Sequence, residues 1–324
     1  MEAKPPKRVV VTGGAGLVGL NLAARLEARR DLDVVFIDKH HRNLMLLGSL
    51  FPRFRVVHGD LANNGAWQSE IRKGDVVVVL HAQVTSKRFG AFERNNILAT
   101  ERLVQAAKDS SASFLIHLSS SVLNSRVEDD YVRTKRRQED IIRASGIDHC
   151  VLRPTLMYGW FDPKHLGWLA RFMARSPVFP IPGNGRFVRQ PLYVQDVCRI
   201  VEWCVDNRPD GQIYDLTGPD HITYLSMIRA IRDTQGLNRP IVRLPMSLFR
   251  VLLSAYARIS RNPPFTKDQL DSLAAGDDFY GVDMTALFGI HPTAFLSGIH
   301  QTLTDGRFGA VVVNDPEDTE FSAE

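Results

Sequence analysis

Tyr131 and Lys135, four positions apart, form a candidate acid/base pair in this 324-residue sequence. The stretch from 131 to about 145 is polar and helix-forming, and residues i and i+4 of a helix share one face. A phenol with a pKa of about 10 must fall by roughly 3 units, or some 4 kcal/mol, to act as a base near neutrality. One cation at about 4 Å, in an effective dielectric of about 20, supplies roughly that much. The pattern therefore predicts a tyrosine assisted by a lysine; the alternative is an exposed helix on which both residues are incidental.

A glycine-rich turn near the N-terminus predicts a site for a phosphate-containing ligand. A β-branched run over 9–11 breaks into Gly13, Gly16 and Gly19, and residues 20–26 then have helical character. Gly13 lets the chain turn sharply, Gly16 removes a Cβ where a pyrophosphate would approach, and Gly19 lets the helix pack closely on the sheet. An ordinary loop is the alternative for the turn taken alone.

Two carboxylates end the next two predicted strands. Asp38 closes the run 33–37, the position at which an acidic residue accepts hydrogen bonds from the adenosine ribose. Asp60 stands near the end of the strand predicted over 55–61. Beside a nucleotide it would accept from the adenine amino group, whereas elsewhere it would only cap the next helix. Together with the glycine-rich turn, Asp38 favours a dinucleotide site.

Strands and helices alternate through the first half of the chain. Residues 76–80 are a continuous apolar run, typical of a strand buried on both faces of a parallel sheet, and residues 96–108 have helical spacing. The run 114–118 is a further strand that ends at three consecutive serines, shortly before Tyr131. This alternation predicts an α/β fold, a Rossmann-type doubly wound parallel sheet with ligands at the carboxyl ends of its strands.

Composition excludes several classes of function. The chain is 44% hydrophobic and 23% charged, and its 40 basic and 36 acidic residues give a net charge of +4, too small a surplus to indicate nucleic acid binding. No apolar run approaches the roughly 20 residues of a membrane span, and the short polar stretch 1–7 is no signal peptide. We therefore expect a cytoplasmic protein without stable membrane insertion. No metal is expected, since metal-ligand spacing is absent from the three cysteines, Cys150, Cys198 and Cys204.

Short motifs follow one another in a set order between residues 8 and 305. They are Thr12-Gly13-x-x-Gly16-x-x-Gly19, Gly59-Asp60-Leu61, Asn96-x-x-Ala99-Thr100, Ser119-Ser120, Tyr131-x-x-x-Lys135, Leu152-Arg153-Pro154-x-x-x-Tyr158-Gly159, Gly183-x-Gly185 and Arg189-Gln190-Pro191-Leu192-Tyr193-Val194-Gln195-Asp196-Val197. In this order and spacing the chain resembles the extended short-chain dehydrogenase/reductases, the group that includes the NAD-dependent nucleotide-sugar epimerases and dehydratases.

The resemblance implies roles for particular residues. Tyr131 would be the acid/base, Lys135 would hold the nicotinamide ribose and lower the tyrosine pKa, and Ser120 or Ser121 would hydrogen-bond the reacting sugar oxygen. Arg189 matches a position that contacts the substrate diphosphate, with an unpartnered surface arginine as the alternative. NAD is the expected cofactor and NADP the alternative. The residues expected at the cofactor are Gly13, Gly16, Leu17, Val18, Gly19, Asp38, Asp60, Leu61, Ala82, Gln83, Asn96, Tyr131, Lys135 and Pro154.

Three departures from the family pattern bear on the substrate. Tyr131 follows Ser120 by only 11 positions, so the usual long substrate-facing segment between them is missing. Leu156 stands where many members carry an asparagine against the diphosphate. Residues 121–123 offer no Asp/Glu pair, which argues against dehydratase chemistry.

The remaining chain is expected to form a smaller, mostly helical C-terminal substrate domain. The predicted division is 1–155 and 187–217 for the dinucleotide domain, 156–186 and 218–310 for the substrate domain, and 311–324 for a disordered acidic tail. An amphipathic helix over 245–261 is expected to be a lid or domain-core helix rather than one lying on a membrane surface. A homodimer is expected through the helix that begins at Tyr131, with Ile141 and Ile142 covering apolar area.

The expected activity is hydride transfer between nicotinamide C4 and a carbinol or ketone carbon of a nucleotide-activated sugar. The sequence leaves an epimerase and a 4-keto reductase both open. Two alternatives belong to other classes: a non-catalytic NAD(P)H-binding subunit, and an oxidoreductase of an apolar, steroid-like alcohol. Leu156 and the apolar helix over 245–261 keep the second alternative open.

Overall fold

The computed structural model describes residues 6–86, 88–125, 128–259, 270 and 278–313, with the backbone alone at 256–259. Residues 314–324 of the predicted acidic tail and residues 260–261 of the predicted amphipathic helix lie outside these ranges.

Seven parallel strands form the central sheet. Numbered in chain order, the strands of the described chain are β1 Lys7–Thr12, β2 Leu32–Asp38, β3 Arg55–His58, β4 Val76–Val79, β5 Phe114–Leu118, β6 His149–Pro154, β7 Met157–Tyr158, β8 Phe179–Pro182, β9 Val188–Arg189, β10 Leu192–Tyr193, β11 Gln212–Leu216, β12 Ile222–Thr223 and β13 Ile241–Leu244. The sheet order is β11-β6-β5-β4-β1-β2-β3, and all neighbours in it are parallel. The order reverses between β1 and β4, which confirms the predicted doubly wound sheet and puts the ligand crevice at the carboxyl ends of these two strands.

Helices cover both faces of the sheet. The α-helices of the described chain are α1 Leu17–Leu26, α2 His41–Leu50, α3 Phe89–Phe92, α4 Ala99–Asp109, α5 Asp130–Arg143, α6 Leu166–Arg175, α7 Val194–Asn207, α8 Tyr224–Thr234, α9 Met246–Ile259, α10 Met284–Phe288 and α11 Phe295–Thr304. Leu20 of α1 and Val201 of α7 pack into one core cluster. Leu103 of α4 and Ile142 of α5 pack into the other. A π-helical stretch, Glu93–Leu98, joins α3 to α4.

A separate hydrophobic cluster lies beyond the sheet. It joins α6, α8 and α11 through Leu166, Met227 and Phe295, and the two-stranded pair β8 and β13 flanks it. The predicted smaller, mostly helical part of the chain is therefore present around α6, α8 and α11.

The end of the described chain departs from the predicted division. Phe288, Phe308 and Val313 belong to the core cluster of the large sheet rather than to the smaller cluster. Val313 is only 4% exposed. The disordered tail stays a prediction, and its first residues, 311–313, include a valine side chain packed into that core.

Helix α5 offers little apolar surface for a dimer. Ile142 is fully buried within the subunit, and Ile141 packs on the same cluster. The exposed residues of α5 are charged: Arg133, Arg136, Arg137, Asp140 and Arg143. The homodimer stays a prediction, but the two isoleucines that were expected at its interface pack into the hydrophobic core instead. None of the helices in the described ranges is long and apolar enough to cross a bilayer.

Candidate active site

The backbone of the glycine-rich turn that follows β1 lies in close contact with other backbone segments of the same chain. Gly13 has φ +67°, and a Cβ there would lie 2.5 Å from the backbone nitrogen of His81. A Cβ on Gly19 would lie 2.2 Å from the carbonyl oxygen of Gly14. Gly19 thus lets α1 sit on the turn itself, not on the sheet as predicted, and it does not line the cavity described below. Gly16, the residue before α1, does line that cavity. The start of α1 can therefore present free N–H groups to an anion.

Asp38, the last residue of β2, is buried and lines the same cavity. Its Oδ2 accepts from the backbone N–H of Ala15 at 2.9 Å, and its Oδ1 accepts from that of His40 at 2.9 Å. A carboxylate has about four acceptor sites, so two remain for ribose hydroxyls. Asp38 both holds the glycine-rich turn in place and keeps capacity for the predicted contact.

Asp60 has more protein partners than the prediction assumed. Its carboxylate accepts from the N–H of Ala62 at 3.0 Å and from Nδ2 of Asn63 at 3.1 Å, and it pairs with Arg94 at 2.5 Å. These contacts support the alternative in which Asp60 caps the following turn. The adjacent Leu61 lines the cavity.

Asn96 is the clearest correction among the predicted cofactor residues. It is fully buried and does not line the cavity. Its Oδ1 accepts from the backbone N–H of Gln83 at 2.6 Å, and its Nδ2 donates to Gln83 O at 3.2 Å and to Thr134 Oγ1 at 3.0 Å. Asn96 therefore holds the loop after β4 in place and binds it to α5. Apart from Gly19 and Asn96, every predicted cofactor residue lines the cavity: Gly13, Gly16, Leu17, Val18, Asp38, Asp60, Leu61, Ala82, Gln83, Tyr131, Lys135 and Pro154.

Tyr131, in the first turn of α5, stands half-buried at the cavity wall. Burial raises the pKa of its hydroxyl to about 12, while a hydrogen bond with Ser120 acts in the opposite direction and the nearby Asp129 raises it further. Ser120 precedes a short 3-10 turn, Ser121–Asn124, whose Val122 N–H it accepts at 3.4 Å. Ser121 also lines the cavity, but the serine that acts on the pKa of the tyrosine is Ser120.

The predicted lowering of the tyrosine pKa by Lys135 stays a prediction, since burial, Ser120 and Asp129 are the causes that shift the pKa of Tyr131 in this structure. The Nζ of Lys135 donates to the carbonyl oxygen of Leu118 at 2.9 Å and to Oε1 of Gln138 at 2.6 Å. Burial lowers the pKa of Lys135 to about 7. The prediction from the sequence took the lysine to be fully charged, whereas burial disfavours the charged form of both Lys135 and Tyr131. At neutral pH the residues of the protein therefore place a protonated tyrosine beside a lysine whose pKa is near 7.

The cavity has a volume of about 560 Å³ and extends beyond Tyr131 into the smaller part of the chain. Its far wall combines the apolar side chains of Leu156, Met157, Trp168, Leu169, Met227 and Phe279 with the polar or charged side chains of Asp162, Lys164 and His165. Leu156 thus faces the space in which the family asparagine was expected. Arg189 is on the same wall, half-buried, with its guanidinium donating to Val188 O at 3.3 Å and close enough to lower the pKa of Tyr224.

Sequence patterns missed two glutamines that shape the site. Gln138 holds Lys135, and no motif singled it out. Gln190 accepts from the N–H of Phe279 at 2.9 Å and donates to its carbonyl oxygen at 2.8 Å, so it fixes that residue at the cavity wall. Gln190 lies within a family motif, but its partner is 89 positions away and only the fold reveals it. Within the described ranges, no group of three or more His, Cys, Asp or Glu is arranged to hold a metal.

The parallel sheet, the glycine-rich turn at its switch point and Asp38 define a Rossmann-type dinucleotide-binding protein. The model of the NAD dependent epimerase/dehydratase family matches residues 9–217. The chain belongs to this family, which confirms the predicted family and its dependence on NAD.

Individual relatives are distant. A 4-hydroxy-2-methyl-3-oxo-4-farnesyl-3,4-dihydroquinoline-1-oxide ketoreductase from Stigmatella aurantiaca is 24% identical over 265 residues, covering 75% of this chain and 78% of the relative. A ceramide reductase from Caulobacter vibrioides is 25% identical over 266 residues, covering 79% and 80%. The solved structure of a UDP-glucose 4-epimerase from Thermotoga maritima with UDP-glucose matches with TM-score 0.72 at 17% identity, covering 91% of this chain and 97% of that one. This structural match shows the fold alone.

Proposed function

We propose that this protein is an NAD(H)-dependent oxidoreductase that interconverts a secondary alcohol and a ketone, with Tyr131 as the acid/base. The observation that carries the proposal is that Tyr131 and Ser120 line the same cavity as the glycine-rich turn. A proton donor and a dinucleotide site in one cavity are what hydride transfer to a carbonyl carbon requires.

The residues at the turn fit a dinucleotide. Gly13 and Gly16 leave backbone where a pyrophosphate can approach the start of α1, and Asp38 retains acceptor capacity for ribose hydroxyls. Lys135 has three ammonium protons, of which Leu118 and Gln138 take two, so one N–H is left to donate to the nicotinamide ribose. When bound, NAD supplies or accepts the hydride.

Tyr131 and Ser120 act on the substrate oxygen. With a pKa of about 12, Tyr131 is protonated at neutral pH and donates its proton to a ketone oxygen during reduction. Ser120 donates a hydrogen bond to the same oxygen and stabilises the charge that develops there. In the oxidative direction Tyr131 must first lose its proton, which the protein's own residues disfavour. The protonation state therefore favours ketone reduction.

A nucleotide-activated sugar is the first substrate class that we propose, and the reaction is then epimerisation or 4-keto reduction. Membership of the epimerase/dehydratase family and the fold shared with a UDP-glucose 4-epimerase support it. Arg189 on the cavity wall offers a guanidinium suited to a diphosphate. An epimerase would retain NAD through purification, whereas a reductase would consume NADH stoichiometrically.

An apolar ketone is the second substrate class, and the composition of the far wall favours it. Leucine, methionine, tryptophan and phenylalanine side chains dominate that wall, with Leu156 in place of a polar residue. A diphosphate would have to leave water for a surface on which Arg189, Lys164 and His165 are outnumbered by apolar side chains, which is costly. The ketoreductase and the ceramide reductase among the relatives, both named for lipid-like substrates, support this class.

One experiment separates the candidates. NADH oxidation is followed with a UDP-4-keto sugar and, in parallel, with a long-chain aliphatic ketone, using wild type and Tyr131→Phe. Turnover of either ketone that depends on Tyr131 supports the oxidoreductase and identifies the substrate class. NADH binding without Tyr131-dependent turnover of any ketone, by protein that is purified free of bound NAD, would favour the non-catalytic subunit; NAD retained through purification would instead indicate the epimerase.

A further inference from the structure

The amine of Lys135 is held by two neutral oxygens. Lys135 is 1% exposed, and its partners are the carbonyl oxygen of Leu118 and Oε1 of Gln138, which is itself fully buried. The neighbouring carboxylate, Glu139, is engaged by Arg153 at 2.5 and 3.1 Å. The ammonium is therefore bonded directly to neutral oxygens only, while Glu139, bonded to Arg153, adds an electrostatic contribution that raises the pKa of Lys135.

The side-chain amide of Gln138 can point only one way. Its Nε2 donates to the carbonyl oxygen of His81 at 3.1 Å and to Thr100 Oγ1 at 2.8 Å. The Thr100 hydroxyl in turn donates to Asn96 O at 2.6 Å, so its oxygen is left to accept. A flipped amide would face the His81 carbonyl with its oxygen and the ammonium with its NH₂ group. The network beneath α5 thus fixes Oε1 toward Lys135.

The titratable groups packed around Lys135 bring it no negative partner. His81 and His117 approach from the sheet, and burial lowers the pKa of His81 to about 3 and that of His117 well below its usual value, so both are neutral at pH 7. On α5, Tyr131 is protonated and Glu139 is paired with Arg153. The direct partners of the Lys135 ammonium are therefore the oxygens of Leu118 and Gln138, with the charge of Glu139 acting from a greater distance.

We propose that Gln138 is a positioning residue that stabilises the Lys135 ammonium and thereby favours the form of the pair in which Tyr131 is a phenolate. The two forms contain the same atoms and one shared proton: a neutral amine with a phenol, or an ammonium with a phenolate. When a pair shares a proton in this way, the titration belongs to the pair, and hydrogen bonds to one form decide where the proton lies. The inference rests on the proposed function, because the phenolate is the form that accepts the alcohol proton.

The test follows the tyrosinate absorbance of Tyr131 against pH in protein saturated with NAD⁺, taken as the difference from the corresponding Tyr131→Phe protein. Gln138→Met keeps the length of the side chain and removes the acceptor. Its phenolate should form about 1 pH unit or more above the wild-type value. Gln195→Met is the matched control: Gln195 is a buried glutamine bonded to Asn21 at 2.8 Å on the opposite face of the sheet, and its loss should leave the Tyr131 titration unchanged.

An unchanged Tyr131 titration in Gln138→Met would overturn the proposal, as would an equal shift in Gln195→Met. If Gln138→Met does not fold, Gln138→Asn replaces it, since its shorter side chain cannot keep its amide anchors and reach Nζ, and the same upward shift is expected. Measuring NAD⁺ affinity on the same samples distinguishes a failure of the proposed function from a failure of the proposed role of Gln138. Failure of wild type to bind NAD⁺ contradicts the proposed function, and the titration without NAD⁺ then decides the role of Gln138.

Discussion

The Ser120 hydroxyl lies close enough to the Tyr131 hydroxyl to lower its pKa, although Ser120 and Ser121 both line the cavity. The sequence offered both serines for the same role. Ser120 ends the extended backbone after β5 with its hydroxyl near the first turn of α5, whereas Ser121 begins the next turn. A substrate oxygen that meets Tyr131 therefore also meets the Ser120 hydroxyl.

Ser120→Ala should lower turnover by about 10²–10³-fold, the usual effect of losing one preorganised donor to a developing oxyanion. Ser121→Ala is the matched control and should stay within about tenfold of wild type. Steady-state kinetics with the ketone identified by the substrate comparison measures both. A larger loss in Ser121→Ala than in Ser120→Ala would reverse the assignment.

Cofactor choice follows from the charge at the end of β2. Asp38 lines the cavity and would repel a 2′-phosphate, while the nearby Lys39, His40 and Arg42 soften that repulsion. We expect NADH to bind at least about tenfold more tightly than NADPH, which corresponds to 1.4 kcal/mol. Fluorescence titration of wild type with both cofactors measures the ratio. Tighter binding of NADPH would mean that the basic residues outweigh Asp38.

The variant Arg189→Ala tests whether Arg189 binds the diphosphate of a nucleotide-sugar substrate. A charge-assisted bidentate pair in the cleft contributes roughly 1.5–3 kcal/mol, so the variant should bind UDP about 10- to 150-fold more weakly. Its affinity for NAD⁺ should hardly change, because the cofactor pyrophosphate would bind at Gly13–Gly16. Paired calorimetric titrations with UDP and NAD⁺ give both values. Equal UDP binding by wild type and variant, or none by either, would leave the apolar ketone as the proposed substrate.

Lys135 makes stability depend on pH. Its pKa is about 7 in the native protein and about 10.4 in an unfolded chain, so between these values the unfolded chain binds more protons. The free energy of unfolding therefore gains a contribution as pH rises from 7 to 9.5 and loses it as pH falls back to 7. In Lys135→Met this rise should be smaller by about 1–3 kcal/mol.

Urea unfolding at pH 7 and 9.5 measures this difference. Lys108→Met, at an exposed position near the end of α4, is the control and should keep the wild-type rise. Identical rises in wild type and Lys135→Met would mean that the buried lysine retains an ordinary pKa.

The local parts of the site could be predicted from the sequence. Gly13 and Gly16 are required by a turn a few residues long, Asp38 ends an apolar strand, and Tyr131 and Lys135 are one helical turn apart. In each case neighbours along the chain determine the geometry. The parallel sheet follows for the same reason, since alternating strand and helix patterns are local signals.

The contacts that join distant segments could not be predicted. Asn96 was expected at the cofactor, but its amide is bound to Gln83 and Thr134. Gln138 had no local signal, because its importance depends on Thr100 and on the loop after β4. The pKa of Tyr131 was expected to fall, and it rises because burial, which depends on the whole fold, outweighs the effect of the Ser120 hydroxyl.

Comparison of Tyr131→Phe with wild type tests the central claim most directly. The variant keeps the aromatic ring and loses only the hydroxyl, so NADH should bind with near wild-type affinity. NADH-dependent reduction of the identified ketone should fall by about 10²–10⁴-fold, the usual contribution of a general acid/base. Turnover within a few-fold of wild type, with NADH affinity unchanged, would contradict Tyr131 as the acid/base.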